Sequence, residues 1–286
     1  MTCVKNPVDI INTYKRILVI GDIHSDYDTM RQLFIDFHIV DRNLRWTAGD
    51  TYVVQMGDQL DGKGRNSTDA SGEIEVLDML DNLHTQALTY GGGVFCLIGN
   101  HEFMNFQGDF RYVSGEDMEK SGGKQSRNML YRPGGTYAKK LACSRVAILK
   151  IKDIVFVHGG ITPDLMKYIE ENDSNIKNIN ETLRDFLFKK LDANDSQVAR
   201  FFKSKDSLLW DRSLGKDNVR CMNFEKVGAI IIGHTPQSEI NSVCNKKIWR
   251  TDVGISRAMG KINCEILEII NKNGVNDFNV KKNLIL

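Results

Sequence analysis

Five short polar signatures interrupt the apolar runs of the chain: Gly21-Asp22-Ile23-His24, Gly57-Asp58-Gln59-Leu60-Asp61, Gly99-Asn100-His101-Glu102, His158-Gly159-Gly160 and Gly233-His234-Thr235. Each puts a carboxylate, amide or imidazole where an apolar strand stops, the place at which open α/β sheets bind ligands. Together they offer Asp, His, Asp, Asn, His and His, a hard-oxygen and borderline-nitrogen set suited to two adjacent divalent transition metals. Asp22 and His24, two apart on an extended strand end, point to the same side and grip one ion. Asp58 is expected to bridge to a second ion completed by Asn100, His158 and His234. With only Asp22 and Asp58 ionised, such a centre retains a surplus of about two positive charges, which suits an anionic phosphate ester. Metals ~3.5–4 Å apart share a bridging water of lowered pKa and clamp the phosphoryl oxygens during in-line displacement. The leaving oxygen needs a proton, and His101, next to the ligand Asn100, is the expected general acid. Asp61 is expected to accept from its other nitrogen, and Glu102 to orient loop or arginine groups from behind.

These residues need strands and loops to position them. Arg16 to Ile20, Thr51 to Met56 and Val94 to Ile98 read as strands, separated by helical spacings over Asp26 to Phe37 and Gly72 to Tyr90. That βαβαβ order favours parallel pairing. Gly91-Gly92-Gly93 reads as the cap ending the second helix. Between Asn105 and Gly135 the pattern breaks into polar and glycine residues with isolated aromatics, a long connection expected to be functional or mobile. Thr136 to Cys143 reads as a short helix, and Val146 to Ile151 and Ile154 to Val157 as a hairpin hinged at Lys152-Asp153. Thr162 and Pro163 open a helix as N-cap and first helical residue. Ile176 to Phe202 reads as two more. Ala229 to Ile232, Ile248 to Thr251, Ile262 to Ile270 and Asn279 to Leu284 are the remaining strand candidates.

Composition bounds the function. Length 286 permits a core burying about 75% of the unfolded chain's surface in one domain. A balance of 38 basic and 37 acidic side chains provides no global basic field, so nucleic acid is not an expected partner. No apolar run approaches the ~20 residues of a membrane span, and the first fifteen residues lack a secretory pattern. The six scattered cysteines form no C-x-x-C pair and read as reduced, mostly core thiols. The expected address is cytoplasmic, without a membrane partner.

The ordered series G-D-I-H, G-D-x-x-D, G-N-H-E, H-G-G and G-H-T resembles the calcineurin-like metallophosphoesterases, specifically the phosphoprotein phosphatase group. Gly99 to Val113 (G-N-H-E-F-M-N-F-Q-G-D-F-R-Y-V) and Thr251 to Ala258 (T-D-V-G-I-S-R-A) narrow the resemblance to the Shewanella-like protein phosphatases. The resemblance runs from Ile17 to about Ala258. It implies a four-layer α/β/β/α sandwich of two mixed β-sheets flanked by helices. We expect one domain over 1–286, with a loop insertion at about 105–135 and a helical insertion at about 162–204. The resemblance implies Asp22, His24 and Asp58 on one metal and Asp58, Asn100, His158 and His234 on the other; a two-metal site of oxygen and nitrogen donors accepts manganese, iron or zinc, and availability decides among them. It also implies hydrolysis of Ser/Thr or Tyr phosphate monoesters on phosphoprotein or phosphopeptide substrates. One position departs from the family's G-D-x-x-D-R-G, where the arginine binds phosphate: here Gly62 follows Asp61. Lys63 cannot copy an arginine's planar two-donor fork. Phosphate recognition is therefore expected from Arg65 on its glycine-flanked loop, or from Arg111, Arg212 or Arg257. Two other readings compete. Gly233-His234-Thr235-Pro236 also resembles the bacterial diadenosine tetraphosphatase, implying small phosphate esters or dinucleoside polyphosphates as substrates. The missing arginine motivates a non-catalytic phosphate-binding protein.

Overall fold

The computed structural model describes residues 3–260 and 264–283. Its first two strands, in different sheets, are β1 (Ile10–Ile11) and β2 (Arg16–Ile20), and Asp26 then caps α1 (Tyr27–Asp36) by accepting from the Thr29 amide. β3 (Tyr52–Gln55), α2 (Glu73–Leu88) and β4 (Gly93–Leu97) repeat the unit, and β2, β3 and β4 pair in parallel, as the alternation of elements predicts. Four short helices follow: α3 (Asn100–Phe106), α4 (Gly115–Lys120), α5 (Gly123–Tyr131) and α6 (Thr136–Ala142). After β5 (Arg145–Val146), β6 (Ile148–Ile151) and β7 (Ile154–Val157) come α7 (Pro163–Glu171) and α8 (Asp173–Leu187). The remaining strands are β8 (Ala229–Ile232), β9 (Asn241–Val243), β10 (Ile248–Arg250), β11 (Cys264–Lys272) and β12 (Val275–Asn283).

The strands form two six-stranded mixed sheets, ordered β1-β6-β7-β8-β10-β9 and β12-β11-β2-β3-β4-β5. Strand period places alternate residues of β7 in different cores. Ile154 and Phe156 pack with the second sheet and with α1 and α2, whereas Val155 and Val157 pack with residues of α6, α7 and α8. The layers therefore run helix, sheet, sheet, helix.

Four sequence expectations change. Val146 to Ile151 is not one strand: Val146 pairs with β4 in one sheet and Ile148 with β7 in the other, so the chain changes sheets at Ala147. The Asn180 side chain makes the crossing possible by accepting from the Ala147 and Ile148 amides and donating to the Ile148 carbonyl. The 105–135 segment is helical rather than an irregular loop, because Arg127 on α5 is fully buried against Glu73 of α2 and supplies the tertiary anchor that short polar helices lack. Of the two helices expected over Ile176 to Phe202, the second is only Ser196–Val198 running into a π-turn, Ala199–Lys203. The cysteines are not all reduced. Cys3 is bonded to Cys143 and Cys221 to Cys244, while Cys96 and Cys264 are free and buried. The pairs are 140 and 23 residues apart in sequence; sheet pairing of β1 with β6, and of β9 and β8 with β10, brings their segments together. Strands β1 and β9 were not expected. The expected strand starts and ends at Ile262 and Leu284 lie outside the described residues.

Candidate active site

The five signatures follow β2, β3, β4, β7 and β8, each a strand with a parallel neighbour, and their loops converge where the two sheets meet. Tight turns rather than extended backbone aim the side chains. His24, Asp58, Asp61 and His234 have φ of 44°, 52°, 70° and 64°, a left-handed conformation that non-glycine residues hold only when the surroundings enforce it. Asp22 and His24 are thus not strand neighbours on one face. The chain turns after Ile20, and the Ile23 and His24 amides both donate to the Asp58 carbonyl at 3.1 and 2.9 Å. Gly57, at φ 99°, leaves no room for a side chain: a Cβ would stand 2.7 Å from the Gly99 nitrogen and 2.8 Å from His158 Nδ1.

Asp58 is central. Its Oδ2 lies 3.9 Å from both His24 Nε2 and His101 Nε2, and its Oδ1 lies 3.4 Å from His158 Nε2. Candidate ligand atoms of His24, Asp58 and His101 lie within 4.8 Å of one another, as do those of Asp58, His158 and His234. Asn100 joins the second group, its Oδ1 3.0 Å from His158 Nε2. Asp22 stands on the far side, 4.0 Å from His158 Nδ1 and accepting from the His234 amide. His158 donates from Nδ1 to the Met56 carbonyl at 2.8 Å, which fixes its tautomer and turns Nε2 toward the cluster.

These residues fit metal ions. His24 Nδ1 and His234 Nε2 are buried without a hydrogen-bond partner, an unusual condition for imidazole nitrogens. Burial, with His101 nearby, pushes the His24 pKa down to about 3; burial, with His158 and Arg212 nearby, pushes that of His234 to about 2. Both are neutral bases, the form that ligates. Burial, then Asp252 and Asp58, hold the Asp22 carboxyl well above its usual range, and burial raises Asp252 to about 6. Crowded buried carboxylates are relieved by cations. Burial opposes ionisation of Asp58 too, but His158, His101 and His24 outweigh it and hold its pKa well below the ordinary value.

His101 sits between two opposite partners. Nδ1 is 2.8 Å from Asp61 Oδ2 and Nε2 is 2.8 Å from the Arg65 guanidinium. Burial works against a protonated His101, yet the Asp58 and Asp61 carboxylates raise its pKa. Glu102 accepts from the amides of Gly99, Asp58, Gln59 and Leu60, locking the second and third signatures together.

The four arginines separate. Of the four, Arg65 is the one whose guanidinium meets a histidine ring of the cluster, and it lies 5.0 Å from the Tyr112 ring. Gly62 explains the loop: a Cβ there would stand 2.2 Å from the Ala70 carbonyl, so the chain folds back and returns Arg65 to the cleft. Arg212 donates to the His234 carbonyl at 2.8 Å and borders the site. Arg257 is tied to the buried Asp26 at 3.1 Å, and Arg111 is exposed and paired with Asp109.

Sequence reasoning missed Tyr112, whose ring lies 5.2 Å from that of His101. It also missed the support behind Asp61, in which Asn105 donates to Asp61 at 2.8 Å and Arg127 donates to Asn105 at 2.8 Å. Arg127 in turn is held by Glu73. Asp252 was missed as well. Tyr112, Asn105 and Asp252 stand in the two stretches that carried the resemblance, but nothing in their local spacing marks a role.

Residues 15–238 match the calcineurin-like phosphoesterase profile. The chain is 29% identical to Shewanella-like protein phosphatase 2 of Arabidopsis thaliana, over 91% of this chain and 76% of that protein. It is 26% identical to Shewanella-like protein phosphatase 1 of Plasmodium berghei, over 88% of this chain and 70% of that one. Among solved structures, the cold-active protein-tyrosine phosphatase of a psychrophilic Shewanella superposes with a TM-score of 0.77 at 24% identity, over 97% of this chain and 83% of the other.

Proposed function

The chain belongs to the calcineurin-like phosphoesterase family and is a metal-dependent phosphatase; from that premise we propose that it hydrolyses phosphate monoesters on phosphoproteins, at Ser/Thr or Tyr. In this reading Asp22, His24 and Asp58 hold one divalent cation and Asp58, Asn100, His158 and His234 the other, with manganese, iron or zinc as the metals. Two cations, when bound, supply Lewis-acid polarisation of phosphoryl oxygen and activation of water. The protein's own groups do the rest. Arg65 can only donate, so His101 Nε2 accepts from it as the site stands; with phosphate bound the guanidinium turns to a phosphoryl oxygen, and Nε2 is freed to carry the proton His101 gives to the leaving oxygen, while Asp61, 2.8 Å from Nδ1, keeps the ring oriented and charged. Arg65 holds a phosphoryl oxygen with its fork, pre-positioned by Tyr112. Arg212, at the rim, is the next candidate for that contact.

The single observation behind this reading is the placement of His101 between Asp61 and Arg65 and 3.9 Å from Asp58. An acid, its orienting carboxylate and an anion receptor share one spot. The names of the relatives support protein substrates. The test is a panel of pSer, pThr and pTyr peptides against diadenosine tetraphosphate, run with each added metal. Peptide turnover exceeding that of the dinucleotide is expected; the reverse ranking overturns the protein-substrate reading, and a metal-loaded but inert protein overturns catalysis. The cytoplasmic address expected from the sequence is opposed by the two disulfides, since such bonds persist in oxidising compartments. Alkylation of the natively expressed protein before reduction tests it: four protected cysteines exclude a reducing compartment.

A further inference from the structure

A cavity of about 530 Å³ lies away from the proposed metal site, between the N-terminal segment, α2 and the strands β3 to β5. None of the proposed metal, acid or phosphate residues lines it. Its size falls in the range of small-molecule sites. The walls are largely apolar, with Pro7, Val8, Tyr52, Leu88, Val94 and Phe95 among them. One wall is covalently fixed, because Cys143, which lines the cavity, is bonded to Cys3 beside Lys5 to Val8.

Two independent features point to a ligand. The first is Arg145, a lining residue only 2% exposed. Its Nε donates to Gln59 and its Nη1 to Asp81, so the guanidinium is rigidly held, but Nη2 is buried with no partner. A buried guanidinium nitrogen without an acceptor costs free energy that an incoming anion would recover. Counting the lining charges, Lys5 and Arg145 exceed Asp81 by one, and burial lowers the His84 pKa so that it adds none at neutral pH. The second is the mouth. Among the described residues, six large apolar side chains are exposed; Val8 and Leu88 line this cavity, and Tyr90 adjoins the lining residue Gly91 in sequence. Exposed apolar groups gathered at one opening mark a binding surface rather than chance.

We propose that this cavity is a second ligand site, for a small amphipathic anion: a hydrocarbon body among Val8, Tyr52, Leu88 and Phe95, and a carboxylate head at the Arg145 guanidinium, its entry shifting the side chains that cover Nη2. The Arg145 to Gln59 bond sets this site one residue from Asp58.

The test uses the full chain with its disulfides intact and anilinonaphthalene sulfonate as the reporting probe, with dodecanoate and dodecanol as competitors. Saturable binding of one probe is expected, displaced by dodecanoate about tenfold or more better than by the neutral alcohol of equal chain length, as a charged hydrogen bond implies. Inorganic phosphate, added with metal, should leave the probe bound. Leu88→Glu, at an exposed position, should weaken probe and dodecanoate about tenfold. Met129→Glu, exposed elsewhere, should not. No saturable binding, equal competition by dodecanol, displacement by phosphate, or an unaffected Leu88→Glu variant would each overturn the proposal.

Discussion

His101 carries the sharpest residue-scale consequences. Replacing it with Asn should lower kcat by about a hundred- to ten-thousandfold on alkyl phosphates, whose leaving oxygen needs the proton. The loss should be much smaller on p-nitrophenyl phosphate, whose leaving group does not. Equal losses on both substrates would remove His101 from the acid role. Asp58 and Asp61 raise the His101 pKa against its burial, and the proposed acid works only while protonated, so the pair with Asp61 should extend activity toward alkaline pH. Asp61→Asn should therefore move the alkaline limb of the kcat profile to lower pH, read from a pH series on an alkyl phosphate. Arg65→Ala should raise KM, with Arg65→Lys recovering only part of the loss, because lysine supplies charge without the fork. An unchanged KM in Arg65→Ala, with a raised KM in Arg212→Ala, would hand the phosphate contact to Arg212.

At the scale of elements, the centre depends on loops being tied to one another more than on the strands that end there. Glu102, fully buried near the start of α3, takes amides from the loops that follow β3 and β4 and so fixes Asp58 against Gly99. Glu102→Gln replaces one acceptor oxygen by an amide NH2, a donor facing backbone N–H donors. Metal affinity should fall about 10- to 100-fold, measured by chelator competition, while circular dichroism stays native. An unchanged affinity would mean that the turns hold their shape without it. Strands β2, β3, β4, β7 and β8 were legible because each is a short aliphatic run ended by glycine or histidine. Helices α4 and α5 were not, since their stability comes from Arg127 docking on Glu73 rather than from an apolar stripe. The break at Ala147 was hidden for the same kind of reason: the residues on both sides are equally β-prone, and only Asn180, more than thirty positions away, takes the amides at the crossing.

Across the whole molecule, the two disulfides constrain very different lengths of chain. Cys3–Cys143 spans 140 residues and Cys221–Cys244 spans 23. Removing the first with paired serines should lower the unfolding free energy by about 1–2 kcal/mol more than removing the second, if loop entropy dominates. Urea denaturation of both double variants without reductant measures it. A larger loss for the Cys221 and Cys244 pair would place the stabilisation in native contacts instead. The two sheets and their outer helices meanwhile form a frame in which Val155 and Val157 serve one core and Ile154 and Phe156 the other.

By itself the sequence offered the candidate donors and the strands that carry them, because period and strand-end chemistry are local and survive without a partner; the order of the layers came from the family resemblance. The tertiary structure alone decided which arginine reaches His101, what supports Asp61, which cysteines meet and that a second cavity opens around Arg145. Those are contacts between residues tens to more than a hundred positions apart. They depend on sheet register and loop return, which no single segment encodes. Gly62 is the clearest instance: in the sequence it is a missing arginine, and in the fold it is the close approach that turns the chain and brings Arg65 to the same place.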